Sequence, residues 1–115
     1  MSGEVLQYLI EYSISGFRNG LAISGGIVEF DTSRYSFYRL NYFQVGDHPI
    51  YPEKIYRVVT TDYLANGNAG FKLLLEGYED KVDHTEIYLR EVIREYIQNN
   101  SPLNIKKDGR WLRKK

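Results

Sequence analysis

An α+β fold, with helices packed on a mixed or mainly antiparallel sheet, is what this sequence predicts, and three observations carry it. Apolar residues recur at helical spacing near both ends, at Val5, Leu6, Leu9 and Ile10 and again at Leu89, Val92, Ile93, Tyr96 and Ile97. Between those stripes, runs rich in β-branched and aromatic residues are separated by Gly, Asn, Asp and Pro, as strands between turns require. The chain has 115 residues, which suits one domain with its own core.

Taken in order, Ser2 is placed to cap the first helix, with Glu4 in the first turn, where a negative charge is favoured. Gly16 ends that helix and a loop runs on through Gly20. Leu21 to Phe30 reads as a strand interrupted at Gly25-Gly26, a pair that marks a bulge or a close backbone approach. Phe37 to Val45 reads as a second strand, apolar on both faces and therefore inside the fold. Gly46-Asp47 is a turn, and Pro49 and Pro52 hold the next stretch extended or at an edge. Lys54 to Thr61 alternates as a strand should. Asp62 to Gly70 is a loop or single turn rich in Asn and Gly, and Phe71 to Leu75 starts a short helix, stopped by Gly77. Asp83 to Glu86 has the shape of a capping box ahead of the last helix, with Glu86 and Arg90 spaced to pair, and Asn99 to Pro102 terminate it.

Composition excludes several classes of protein. There is no cysteine, hence no disulfide, thiolate nucleophile or zinc-thiolate module. No run approaches eighteen apolar residues, so no membrane span is expected, and the first residues lack the pattern of a signal peptide. His48 and His84 are the only histidines and neither stands in a ligand cluster; no metal site is expected in this chain. None of the serines sits in a nucleophile-elbow pattern. Net charge is zero, yet residues 106–115 hold six basic side chains against Asp108, so a +5 end balances −5 over the remaining residues. This basic stretch reads as a solvated tail on a domain of residues 1–105. Trp111 is its lone aromatic, and a surface that tracks nucleic acid needs more stacking faces than that.

The segment richest in chemical possibility is Asn66-Gly67-Asn68-Ala69-Gly70. Glycines there let the backbone approach a ligand, but no Gly-Lys-Ser/Thr comes after them, so it is not a Walker-type phosphate cradle. Tyr63, just upstream, either packs in the core or offers a flat face to a base.

The stretch from Ile55 to Phe71, IYRVVTTDYLANGNAGF, resembles the signature of the C-terminal domain of the 5'-nucleotidase family, a strand followed by Asn-Phe-Leu-Ala-Asn-Gly-Gly-Asp-Gly and an aromatic residue. Met1-Ser2-Gly3 ahead of Glu4 resembles the family's helix start. Ile23-Ser24-Gly25-Gly26 with Phe30-Asp31 resembles its Ser-Gly strand, and Pro102 with Gly109-Arg110 its closing segment. The resemblance implies a partial domain that binds nucleotide or another phosphate ester and is not catalytic by itself. It implies an N-terminal metallophosphoesterase domain holding two divalent metal ions, outside this chain, and a periplasmic or secreted location. The chain then reads as a fragment of a longer protein, with part of its substrate clamp upstream. Tyr63 falls where the family has a base-stacking aromatic, and Asn66, Gly67, Asn68 and Gly70 complete the implied binding loop. Ala69 stands where the family has an Asp that accepts from the ribose hydroxyls, and Asn68 offers a side-chain carbonyl as another acceptor. Those two departures imply a substrate other than an ordinary nucleotide, such as one without a free ribose diol. The alternative is a stand-alone interaction module that works by self-association, through an apolar edge that absent strands would leave uncovered.

Overall fold

A glutamate and an arginine fasten the first helix to the sheet. In the computed structural model, which describes residues 1–16 and 20–114, helix α1 (Gly3–Ile14) begins where Ser2 Oγ accepts from the Val5 N–H at 3.4 Å. Its buried side includes Leu9, Ile10, Ser13 and Ile14. Glu11, on the same helix, accepts from the backbone N–H groups of Arg39 at 3.2 Å and Leu40 at 2.7 Å. Arg39 returns the contact, its Nη1 donating to the Ile14 carbonyl at 2.8 Å, where the helix has run out of partners of its own. One helix end and one strand start are thereby locked together.

The sheet has four strands, β1 (Gly26–Asp31), β2 (Leu40–Val45), β3 (His48–Pro49) and β4 (Trp111–Lys114), in the order β3-β2-β1-β4. β1 is antiparallel to β2, with Val28 opposite Phe43, and parallel to β4, with Val28 opposite Trp111. The β1–β2 register slips between Glu29 and Phe30. Val28 is fully buried and centres a core with Ile10, Phe43 and Ile50. A Cβ on Gly26 would stand 2.7 Å from the Gln44 carbonyl oxygen, so the expected close approach at the glycine pair is real. The Gly46-Asp47 turn joins β2 to β3, and Pro49 sits at the sheet edge, where its missing donor does least harm.

Beyond the sheet come α2 (Asp62–Ala65), a 3₁₀ turn at Asn68–Gly70, α3 (Lys72–Leu75), a second 3₁₀ turn at Glu79–Lys81, and α4 (Leu89–Asn99). The chain is a mixed α+β fold, as its patterning predicts. Among the described residues, no helix is long and apolar enough to cross a membrane.

Five local expectations are corrected. Residues 21–24 lie outside the strand, which begins only at Gly26, where a partner becomes available. The second strand starts at Leu40, because Phe37 has φ +67°, a left-handed conformation that no strand accommodates; its ring stacks on Tyr8 instead, 5.6 Å between centroids. Lys54 to Thr61 forms no strand: Ile55 bridges Ser2, and among the described residues none pairs with residues 57–60 to complete a ladder. The capping box does not form, since Glu86 at φ +56° cannot belong to a first turn. The helix starts at Leu89 after Tyr88, and Arg90 pairs with Glu91 at 3.4 Å rather than with Glu86. Finally, the basic stretch is not wholly a solvated end, because residues 111–114 are β4. Lys114 pairs with Glu29 at 3.5 Å, Arg113 Nε donates to Thr32 Oγ1 at 3.0 Å, and Trp111 meets Phe30 edge to face.

Where β1 ends, Ser33 donates to Asp31 Oδ1 from its hydroxyl at 2.6 Å and its N–H at 2.8 Å. Those bonds, the hydroxyl's above all, hold the Asp31 carboxyl below the usual aspartate range. Because the folded value is the lower one, this carboxylate stabilises the fold at neutral pH, and its contribution disappears as pH falls through the folded value. Ser33→Ala is expected to move the Asp31 titration upward in a carboxyl-detected NMR experiment. An unchanged midpoint would show that the hydroxyl is not the cause.

Candidate functional site

Thr61 caps the single turn of α2, accepting from the Leu64 N–H at 3.4 Å, and Asp62 Oδ1 accepts from the Tyr63 N–H at 2.8 Å. These short bonds account for a helix only four residues long. They also fix Tyr63 on its outer side, where the residue is 59% exposed and clear of the core. After α2 the chain turns back sharply. Asn66 donates to the Asp62 carbonyl and Gly67 to the Leu64 carbonyl, and Gly67 adopts φ +82°. A Cβ at Gly67 would lie 2.8 Å from Lys72 Cα, so both the dihedral and the space demand glycine.

Asn68 ties the loop shut by donating from Nδ2 to the Tyr63 carbonyl at 2.8 Å. That bond commits the amide nitrogen and leaves Oδ1 as the acceptor end of the side chain. Ala69 adopts φ +57° and Gly70 φ +85°. A left-handed conformation suits glycine but costs an alanine about 1–2 kcal/mol. Phe71 is only 4% exposed and packs edge-on against Tyr12 of α1, 5.2 Å between centroids. The loop is thus a bracket closed by short-range bonds, with Phe71 as its buried foot and Tyr63 on the exposed side.

Of the residues singled out from the sequence, Tyr63 and Asn68 are brought into direct contact through the backbone, and Asn66 and Gly67 line a cleft of about 230 Å³. Tyr63, Asn68 and Gly70 do not line it. Sequence reasoning missed Lys72, Glu79 and His84, which do. The position of Lys72, just past the glycine loop, is a signal that could have found it. His84 belongs to the expected helix cap, whereas residues 82–88 form no helix and His84 reaches the cleft. A lysine and an imidazole beside a glycine turn suit an anionic or hydrogen-bonding ligand. A two-metal centre needs converging ligands, and among the described residues no three His, Cys, Asp or Glu side chains gather into one. No step through a metal is therefore assigned to these residues.

The profile of the family described as "5'-nucleotidase, C-terminal domain" matches residues 1–76, through α1, the first three strands and the whole bracket. The chain belongs to this family. It is 28% identical to an apyrase of Tabanus yao over 96% of its own length, and 33% identical to the trifunctional nucleotide phosphoesterase protein YfkN of Bacillus subtilis (strain 168) over 76%. The crystal structure of a 5'-nucleotidase precursor from Thermus thermophilus superposes with a TM-score of 0.84 across 98% of the chain, at 25% identity. The chain spans 22% of the apyrase, 6% of the phosphoesterase and 24% of the solved nucleotidase.

Within this family fold, two of the three positive-φ positions of the bracket, Gly67 and Ala69, are expected to respond oppositely to substitution. Gly67→Ala adds both a left-handed alanine and a clash, and is expected to destabilise by more than about 1 kcal/mol. Ala69→Gly relieves the same conformation, offset by the extra freedom of the unfolded glycine, and is expected to be neutral or to stabilise by up to about 1 kcal/mol. Urea denaturation of both variants measures this. If Ala69→Gly proves the more damaging change, the bracket is not strained as described.

Proposed function

We propose that this chain holds the substrate of a nucleotide-hydrolysing protein, with Tyr63 stacking on the base and the 66–70 loop beside it, while bond breaking belongs to residues outside the chain. The observation that carries this reading is the exposed ring of Tyr63, braced by Asn68 and the Thr61 cap rather than packed in the core. Base stacking on such a ring is worth about 1–3 kcal/mol. The names of the relatives, an apyrase, a nucleotide phosphoesterase and a 5'-nucleotidase, support nucleotides as the ligand class. Hydrolysis in a metal-dependent family calls for a ligand cluster, and among the described residues no three His, Cys, Asp or Glu side chains gather into one.

Ala69 shapes the specificity of this reading. An alanine side chain has no acceptor for a sugar hydroxyl, so recognition rests on the base more than on the ribose diol. Asn68 Oδ1 is the acceptor that remains beside it.

The test is an NMR titration of the chain with adenosine 5'-monophosphate, its 2'-deoxy analogue and ribose 5-phosphate. The two base-bearing ligands are expected to shift the Tyr63 ring and the residue 66–70 amides alike, and ribose 5-phosphate is not. Tyr63→Ala should weaken nucleotide binding by about 5- to 150-fold, and Tyr63→Phe should keep it. Undiminished binding by Tyr63→Ala, or equal shifts with ribose 5-phosphate, would refute the stacking role.

A further inference from the structure

Lys72 is pressed onto the glycine turn of the bracket. A Cβ built on Gly67 would stand 2.8 Å from Lys72 Cα, 3.0 Å from its Cβ and 3.3 Å from its Cγ, so the absent side chain is what lets the lysine stem lie across the turn. Both residues line the cleft of about 230 Å³, and the Asn66 side chain belongs to the same turn. His84 joins them from residues 82–88, which form no helix. Three separate segments thus bring an ammonium, an imidazole and a carboxamide to one cleft.

Among the described residues, no side-chain hydrogen bond or ion pair engages Asn66, Lys72 or His84. Glu79 is the one carboxylate among the described residues lining the cleft, and its Oε2 already accepts from the Gly77 N–H at 2.8 Å. Lys81 is engaged elsewhere, with its ammonium over the Tyr78 ring at 5.3 Å. The cleft therefore holds N–H donors of three kinds for which the fold supplies no acceptor.

That inventory selects the guest. A divalent cation would meet the charge of Lys72 and find one imidazole and one carboxylate, fewer ligands than such ions take. An apolar molecule would fit beside Leu75 and Val82 but would strip water from the donors and return no acceptor. A compact oxyanion accepts from all three groups at once, and hydrogen bonds to a charged partner are about twice as strong as neutral ones. The volume holds such an ion together with bridging waters.

We infer that this cleft binds phosphate, as the free ion or as the end of a phosphate monoester, with Lys72 supplying the charge and Asn66 and His84 the orientation. Tyr63 does not line the cleft, so the site is separate from the stacking ring and stands whether or not that ring holds a base.

The test is a titration of the full 115-residue chain with sodium phosphate at constant pH and ionic strength, followed by NMR at the Gly67 amide and the His84 ring. Both signals are expected to move and saturate together, and sodium chloride is expected to leave them in place. Lys72→Met keeps most of the stem, removes the charge and is expected to weaken phosphate binding at least about tenfold. His84→Ala lies in a stretch without helix or strand, is expected to weaken binding about threefold, and decides the matter if Lys72→Met fails to fold. Adenosine 5'-monophosphate and adenosine distinguish the two sources. Competition by the nucleotide alone supports the site with a monoester as its ligand, and competition by neither supports it with the free ion. Shifts that rise linearly with either salt, unchanged affinity in a folded variant, or competition by adenosine would overturn the proposal.

Discussion

The edge-to-face contact between Phe71 and Tyr12 is the constraint on which the candidate site depends. Everything from Asp62 to Gly70 is held by bonds within a few residues, and such short elements have little stability alone. Phe71 couples them to α1, which is in turn locked to β2 through Glu11 and Arg39. Tyr12 also leans on Phe37, whose ring stacks on Tyr8, so a row of aromatic rings runs from the first helix to the bracket. The position of Tyr63 is therefore set by the core of the fold, although its own ring takes no part in that core.

The parts legible in the sequence are those whose causes are local. Ser2 caps α1 because its hydroxyl lies three residues from an unpaired amide. Gly46-Asp47 makes a hairpin turn because few other residues reach that backbone conformation. The Ile55–Phe71 motif is legible as a family signature, and residues 1–76 match that family. The rest depends on partners distant in sequence. Residues 57–60 alternate as a strand does, but periodicity says nothing of whether another strand lies alongside. Residues 111–115 have the composition of a charged end, because three of the five side chains are basic. Pairing with β1 is what turns residues 111–114 into a strand. His84 has the spacing of a capping residue, yet Glu86 is left-handed, residues 82–88 form no helix, and His84 lines the cleft.

An unfinished quality runs through the apolar surface. The stripe of α4 falls where its spacing placed it, yet Leu89, Val92, Ile93, Tyr96 and Ile97 are 42–58% exposed. Together with a groove beside residues 56–60, this leaves far more apolar surface open than scattered surface residues account for. The interior that does close is small, centred on Val28. Contiguous apolar surface of this kind marks an interaction face, and the chain spans 22% of the apyrase and 24% of the solved nucleotidase.

Parallel pairing of β4 with β1 carries a consequence for the birth of the protein. The central strand emerges from the ribosome well before its neighbour, and every helix of the fold must be synthesised before the two can meet. During that interval one edge of β1 stands bare, open to whatever else in the cell can form a ladder with it. The sheet becomes whole only when Trp111–Lys114 clears the exit tunnel, long after the first helix has had time to wind.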